Sequence, residues 1–261
     1  MPKLPYAKLR PLFESYVDKY NTLDFLVDDP LGIPHRFSKP ADLEVTAFFA
    51  AIFAWGQRKT IINKCDDLLR RMDHQPFEFV SQASENDLRN LDGFVHRTFN
   101  DADVRNLVLG LRGLYEKSGN LWSCFLPQDH EEHYGYAINR FRTDLLSMVD
   151  DPKRIQRCIS DPLQGSAAKR LIMMLRWLVR QDSSGVDLGL WTQLPMEKLS
   201  CPLDVHTSRL ARHFGLITRK QNDWLAVREL DTHLRILSPA DPARYDFALF
   251  GMGIEGFIKD L

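Results

Sequence analysis

Cysteine is scarce, and its placement excludes two architectures at once. Cys65, Cys124, Cys158 and Cys201 stand far apart, with no C-x-x-C pair, so neither a zinc ribbon nor a dense disulfide framework is expected. Long apolar runs are missing too: the longest, Val45 to Trp55, falls well short of the roughly 20 residues that span a bilayer. The first residues, M-P-K-L-P-Y-A-K-L-R, lack the apolar centre of a secretory signal. A reduced, soluble, cytoplasmic protein with no membrane partner is the expectation. Charge of one sign is also lacking, since the formal net charge is -1; taken whole, the chain does not favour a polyanionic partner. Alternating strand patterns are almost absent, and no internal repeat or low-complexity segment points to a solenoid or a disordered tail.

What is present is helical periodicity. With 261 residues, 44% of them apolar, the chain can bury one substantial core or two small ones sharing an interface. Leu9, Leu12, Phe13, Tyr16, Val17 and Tyr20 recur at the spacing of one buried helix face. Further helices are predicted over about 42–55, 58–72, 101–118, 132–149, 167–180, 204–214, 222–237 and 241–250. The fold class is therefore all-α. Turn residues and pre-proline restrictions make Asp28 to Pro40 a loop, and a second irregular stretch runs from Gln181 to Pro202.

The small net charge hides an uneven distribution. From Lys153 to Lys220 there are twelve Lys/Arg against five Asp/Glu, which suits either phosphate contacts or an ordinary solvated face. Within that region L-Q-G-S-A-A-K, Leu163 to Lys169, precedes an apolar helix, and P-L-D-V-H, Pro202 to His206, precedes another. Gly165 can turn the chain so that neighbouring N–H groups point outward as an anion nest, against the alternative of an ordinary turn residue. Lys169 is a candidate amine nucleophile, or a solvated first-turn side chain. Asp204 is a candidate carboxylate catalyst, or simply an N-cap.

These segments resemble a known family. L-Q-G-S-A-A-K is similar to the L-P-G-V-G-x-K hairpin of the helix-hairpin-helix DNA glycosylase superfamily, which includes endonuclease III. P-L-D-V-H-T-S-R-L is similar to its V-D-T-H-x-x-R-V segment. T-A-F-F-A-A-I-F-A-W-G-Q and F-A-L-F-G-M-G resemble its early helix and its last core helix, in the same order along the chain. Within that superfamily the whole chain more closely resembles a bacterial family of glycosylase-like proteins that carries A-K-R-L-x-M-x-L-R-W, V-D-L-G-L-W and Y-D-F-A-L-F-G. The resemblance implies two helical subdomains flanking a cleft, 42–160 and 1–41 plus 161–261, within one glycosylase-like unit.

It also implies a function: excision of a damaged base from duplex DNA by nucleotide flipping. Lys169 would attack the sugar, with AP-lyase competence, and Asp204 would assist. Gly165, Ser166 and Ala167 would lend N–H groups to a phosphate, and a monovalent cation would sit on hairpin carbonyls. Gln57 would fill the gap left by the flipped base, while Arg170, His206 and Arg209 would contact DNA or, for Arg170, place positive charge beside Lys169. Trp191 and Asp187 are the base-pocket candidates; Trp55, Trp177 and Trp224 are further possible stacking surfaces. This sequence has Gln164 for the family's proline, Ala167 for a glycine, and a longer separation, 35 residues, between Lys169 and Asp204. The insertion between them is expected to loop out. No four-cysteine motif follows the last core helix, so no iron–sulfur cluster is expected, and no metal ligand set is assigned. The alternatives are a noncatalytic DNA-binding protein that keeps the hairpin, or a fold reused for another ligand.

Two further patterns point elsewhere. G-M-G-I-E-G, Gly251 to Gly256, spells a dinucleotide fingerprint, but a helix precedes it instead of a strand. His130 and His133 in H-E-E-H have a spacing that metal ligands use, against the alternative of a solvated acidic helix start.

Overall fold

The computed structural model describes residues 2–257, and they are mostly helical. In order, the helices are α1 (Tyr6–Tyr20), α2 (Pro40–Phe53), α3 (Arg58–Arg71), α4 (Pro76–Gln82), α5 (Glu85–Leu88), α6 (Asp101–Ser118), α7 (Gly135–Ser147), α8 (Pro152–Ile155), α9 (Lys169–Val179), α10 (Val205–His213), α11 (Trp224–Leu237) and α12 (Asp246–Glu255). A two-stranded antiparallel hairpin, β1 (Val95–His96) and β2 (Phe99–Asn100), precedes α6. The predicted long helices are present with ends shifted by a few residues. The short α4 and α5 and the hairpin escaped the sequence reading, because elements of so few residues repeat no period.

Helix α2 is apolar all round, so it is buried all round: Val45 through Phe53 are enclosed. It packs against α3, α4 and α9. Helix α1 buries Leu9, Phe13 and Val17, the centre of its expected stripe, and lies against α12, which in turn packs on α10. Gly251 permits that approach, since a Cβ there would fall 2.2 Å from the ring of Tyr20. Its G-M-G-I-E-G motif is thus helix-packing surface. The buried apolar side chains form one connected cluster.

Both irregular segments pack inward. Residues 23–36 fold into three short 3-10 turns that bury Pro30, Leu31, Ile33 and Pro34. The stretch expected to loop out between α9 and α10 instead buries Val186, Asp187, Trp191 and Leu194. Its backbone closes the end of α9: Leu188 N–H donates to Trp177 O at 2.7 Å and Trp191 N–H to Leu178 O at 2.7 Å. Carbonyls at a helix C-terminus need such partners when water is excluded. The H-E-E-H stretch is no solvated helix start. Glu131 is buried against Arg140, and burial pushes His133 down to about 4 where it stacks on Tyr136. No cluster of metal-ligating side chains occurs among the described residues, and no described helix is long and apolar enough to cross a membrane.

Candidate active site

The turn that presents Lys169 is built from its own hydrogen bonds. Asp161 caps the 3-10 turn Pro162–Gln164 through Leu163 N–H at 2.9 Å, and Gly165 follows in the left-handed region with φ 89°. Ser166 then bridges to Asp223, and Trp224 N–H donates to Gly165 O at 3.0 Å. Ala168, at φ 45°, turns the chain a second time and opens α9 at Lys169. The buried residues Leu171, Ile172, Met174, Leu175 and Trp177 fix this helix in the core. Its first residue is therefore a rigid mount for an amine.

Asp204 reaches the same place from α10, following the buried pair Pro202–Leu203. Its Oδ1 accepts Thr207 N–H at 2.8 Å, the N-cap role read from the sequence. Its Oδ2 lies 3.6 Å from Lys169 Nζ, with the two side chains 23% and 34% exposed. One carboxylate thus holds a helix end and faces an amine. Both groups line one cleft of about 1030 Å³, a volume that suits a nucleotide-sized ligand.

Around this pair the cleft carries groups the sequence reading did not single out. Asp246, the first residue of α12, ion-pairs with Arg176; burial pushes its carboxyl up to about 6, and Arg176 opposes the rise. Asp29 caps a 3-10 turn and stands 3.4 Å from Arg58. Burial raises Asp29 as well, with Arg58 acting against it. The guanidinium of Arg58 lies 4.5 Å from the ring of Phe250 and 5.7 Å from that of Phe25. Phe25, Phe247 and Phe250 give the cleft an aromatic wall, and Trp55 stands at its mouth. Asp246, Phe247 and Phe250 fall within the Y-D-F-A-L-F-G motif and Trp55 is a stacking candidate, but Phe25, Asp29 and Arg58 come from segments remote in sequence that no motif joined to the site.

Several expected site residues have other work. Trp191 is 1% exposed, donates its indole N–H to Glu44 at 2.7 Å and stacks on Phe125, so it is core and lines no part of the cleft. Asp187 is buried between Arg176 and Arg180 at 3.2 and 3.0 Å. Neither is available to a base. Arg170 lines the cleft, yet its guanidinium donates to Ile52 O at 3.0 Å and lies over Phe99, where burial lowers its basicity. It ties α9 to α2 instead of placing charge beside Lys169. Gly165 N–H donates to Pro162 O and Ser166 N–H to Asp161 O, so two of the three N–H groups expected for a phosphate are spent inside the turn. The carbonyls of Asp161, Pro162 and Gly165 likewise accept N–H groups of the chain itself.

Ser166, Ala167 and His206 line the cleft, while Gln57 and Arg209 are exposed, Gln57 directly beside Gly56 and Arg58 of its wall. Trp177 lines it from the core, and Trp224 is buried behind the hairpin. Part of the basic excess is engaged within the protein: Arg176 and Arg180 are buried, Arg154 and Arg157 hold Asp103, Arg219 holds Asp223, and Arg212 donates to the carbonyls of residues 219–221.

A family model described as a protein of unknown function (DUF2400) matches residues 29–255. No curated protein and no solved structure matches the chain.

Proposed function

We propose, from the premise that the chain belongs to the DUF2400 family, that it is a DNA glycosylase with AP-lyase competence on a helix-hairpin-helix glycosylase-like fold. The observation that carries this reading is the 3.6 Å approach of Lys169 to Asp204 in one open cleft, from positions 35 residues apart in the sequence. A buried structural ion pair needs no such opening. An amine nucleophile does, because the sugar it attacks must come out of the base stack.

Chemistry at this site follows from the pair. Asp204 takes a proton from Lys169, leaving a neutral amine whose electron pair attacks the anomeric carbon of the extruded nucleotide. The C–N bond to the base breaks as the new C–N bond to Lys169 forms, and the proton held by Asp204 leaves with the base. Opening of the sugar ring then gives the imine, with the second amine proton passing to the ring oxygen. The cap bond from Thr207 keeps Asp204 aimed throughout. Asp246 and Asp29 line the same cleft, each paired with an arginine, and leave Asp204 as the carboxylate that faces the amine.

Borohydride trapping tests the reading. Incubated with abasic and damage-bearing duplexes, the protein should give a covalent adduct that is lost in Lys169→Gln and formed about 10²–10⁴-fold more slowly in Asp204→Asn. Absence of both adduct and base release across a broad lesion panel would refute it. Salt-sensitive DNA binding that survives both substitutions without chemistry would instead identify a noncatalytic DNA-binding protein.

A further inference from the structure

The mouth of the cleft holds an aromatic ring and a cation that the chemistry above leaves unused. Trp55 follows the end of α2 and is 50% exposed, while Trp177, Trp191 and Trp224 are buried. Arg97 sits in the turn between β1 and β2 at φ 56°, a left-handed conformation seldom adopted by a long side chain. Its Nε donates to Trp55 O at 3.2 Å, and its guanidinium lies 5.6 Å from the indole. Gly56, at φ 114°, makes the approach feasible, because a Cβ there would fall 2.6 Å from the Arg97 guanidinium. Among the described residues the partners of Arg97 are this carbonyl and this ring, with no carboxylate. Two backbone positions of unusual conformation therefore hold an open indole beside an unneutralised cation.

One nucleotide can engage both groups, which stand 5.6 Å apart. A base stacks on the indole, and its phosphate meets the guanidinium. A base inside an intact duplex has both faces covered by its neighbours and offers none to Trp55. An unpaired base offers one. We propose that Trp55 and Arg97 bind an unpaired nucleotide adjoining the one that enters the cleft, so that the protein prefers single-stranded or locally unpaired DNA to fully paired duplex. This inference rests on the nucleic-acid reading of the cleft and narrows its substrate class.

Fluorescence anisotropy with labelled oligonucleotides tests it, using one sequence as a single strand, as a bulged duplex and as a fully paired duplex. The single strand and the bulge should bind about tenfold or more tighter than the paired duplex. Trp55→Ala should weaken single-strand binding roughly 5- to 150-fold, the worth of one base–aromatic stack, and leave the paired duplex nearly unchanged. Trp55→Phe should restore most of the loss. Arg97→Gln should lower the slope of log affinity against log salt by about 0.7, the signature of one phosphate contact on a single strand. Thermal melting of each variant checks that the fold is intact. Equal binding of the single strand by wild type and Trp55→Ala, or preference for the paired duplex, overturns the inference. If trapping fails while Trp55-dependent single-strand binding persists, the glycosylase reading falls and the lip stands. Failure to bind any oligonucleotide overturns both.

Discussion

The two ends of helix α9 treat charge in opposite ways. At its start, Lys169 meets Asp204 at 3.6 Å with both side chains partly open to water. Two turns on, Arg176 and Arg180 share Asp187, and each has a further carboxylate in Asp246 or Asp241. These guanidinium groups are almost fully enclosed and saturated with partners. Desolvated charges must be matched in this way, since the attraction between them only just offsets the loss of water. The open pair keeps a path to solvent through the cleft it lines, which the enclosed one lacks. Ion pairing alone would not have told the two apart.

The sharpest way to break this comparison is to remove the shared carboxylate. Asp187→Ala leaves two buried guanidinium groups short of a partner and should cost about 3–5 kcal/mol in urea unfolding. A loss below about 1 kcal/mol would mean that the buried network is no more structural than the open pair.

A smaller effect tests where the two systems meet, at Asp246. Its carboxyl, held up at about 6 by burial against the pull of Arg176, binds a proton more tightly in the folded chain than in the unfolded one. The stability it contributes is fully present below about pH 4 and is lost as pH rises through about 6, an amount on the order of 3 kcal/mol. Unfolding free energies of wild type and Asp246→Asn, measured from about pH 4 to about pH 7, should diverge by that amount. Parallel curves would contradict the assignment.

The open pair should respond least. Lys169→Gln is expected to shift stability by under about 1 kcal/mol, as for other solvent-accessible ion pairs, while Asp204→Ala should cost about 1 kcal/mol through the lost cap of α10. Thermal melts resolve both. A Lys169 variant as unstable as the Asp187 variant would turn the lysine into scaffold.

Much of this was legible before the structure. Periodicity placed the long helices, and local chemistry placed Asp204 at an N-cap and Lys169 at a helix start, because those features depend on a few neighbouring residues. What failed depended on distant ones. Trp191 and Asp187 were expected at the base pocket, but Glu44, Phe125, Arg176 and Arg180 claim them from other helices. Ala167 stands where the family has a hairpin glycine, and the left-handed positions of the turn fall on Gly165 and Ala168 instead. The helix-closing role of the 181–202 stretch had no signal at all, since backbone N–H groups look alike in every residue.

The wall facing the lysine joins Phe25 and Asp29, near the start of the chain, to Phe247 and Phe250, near its finish, with Phe25 packed edge-on against both rings. A ribosome that has released only the lysine helix has therefore made Lys169 without its enclosure. The pocket is finished last, when the late-emerging rings close over the early ones, so Lys169 is synthesised 81 residues ahead of Phe250, the ring that completes its wall.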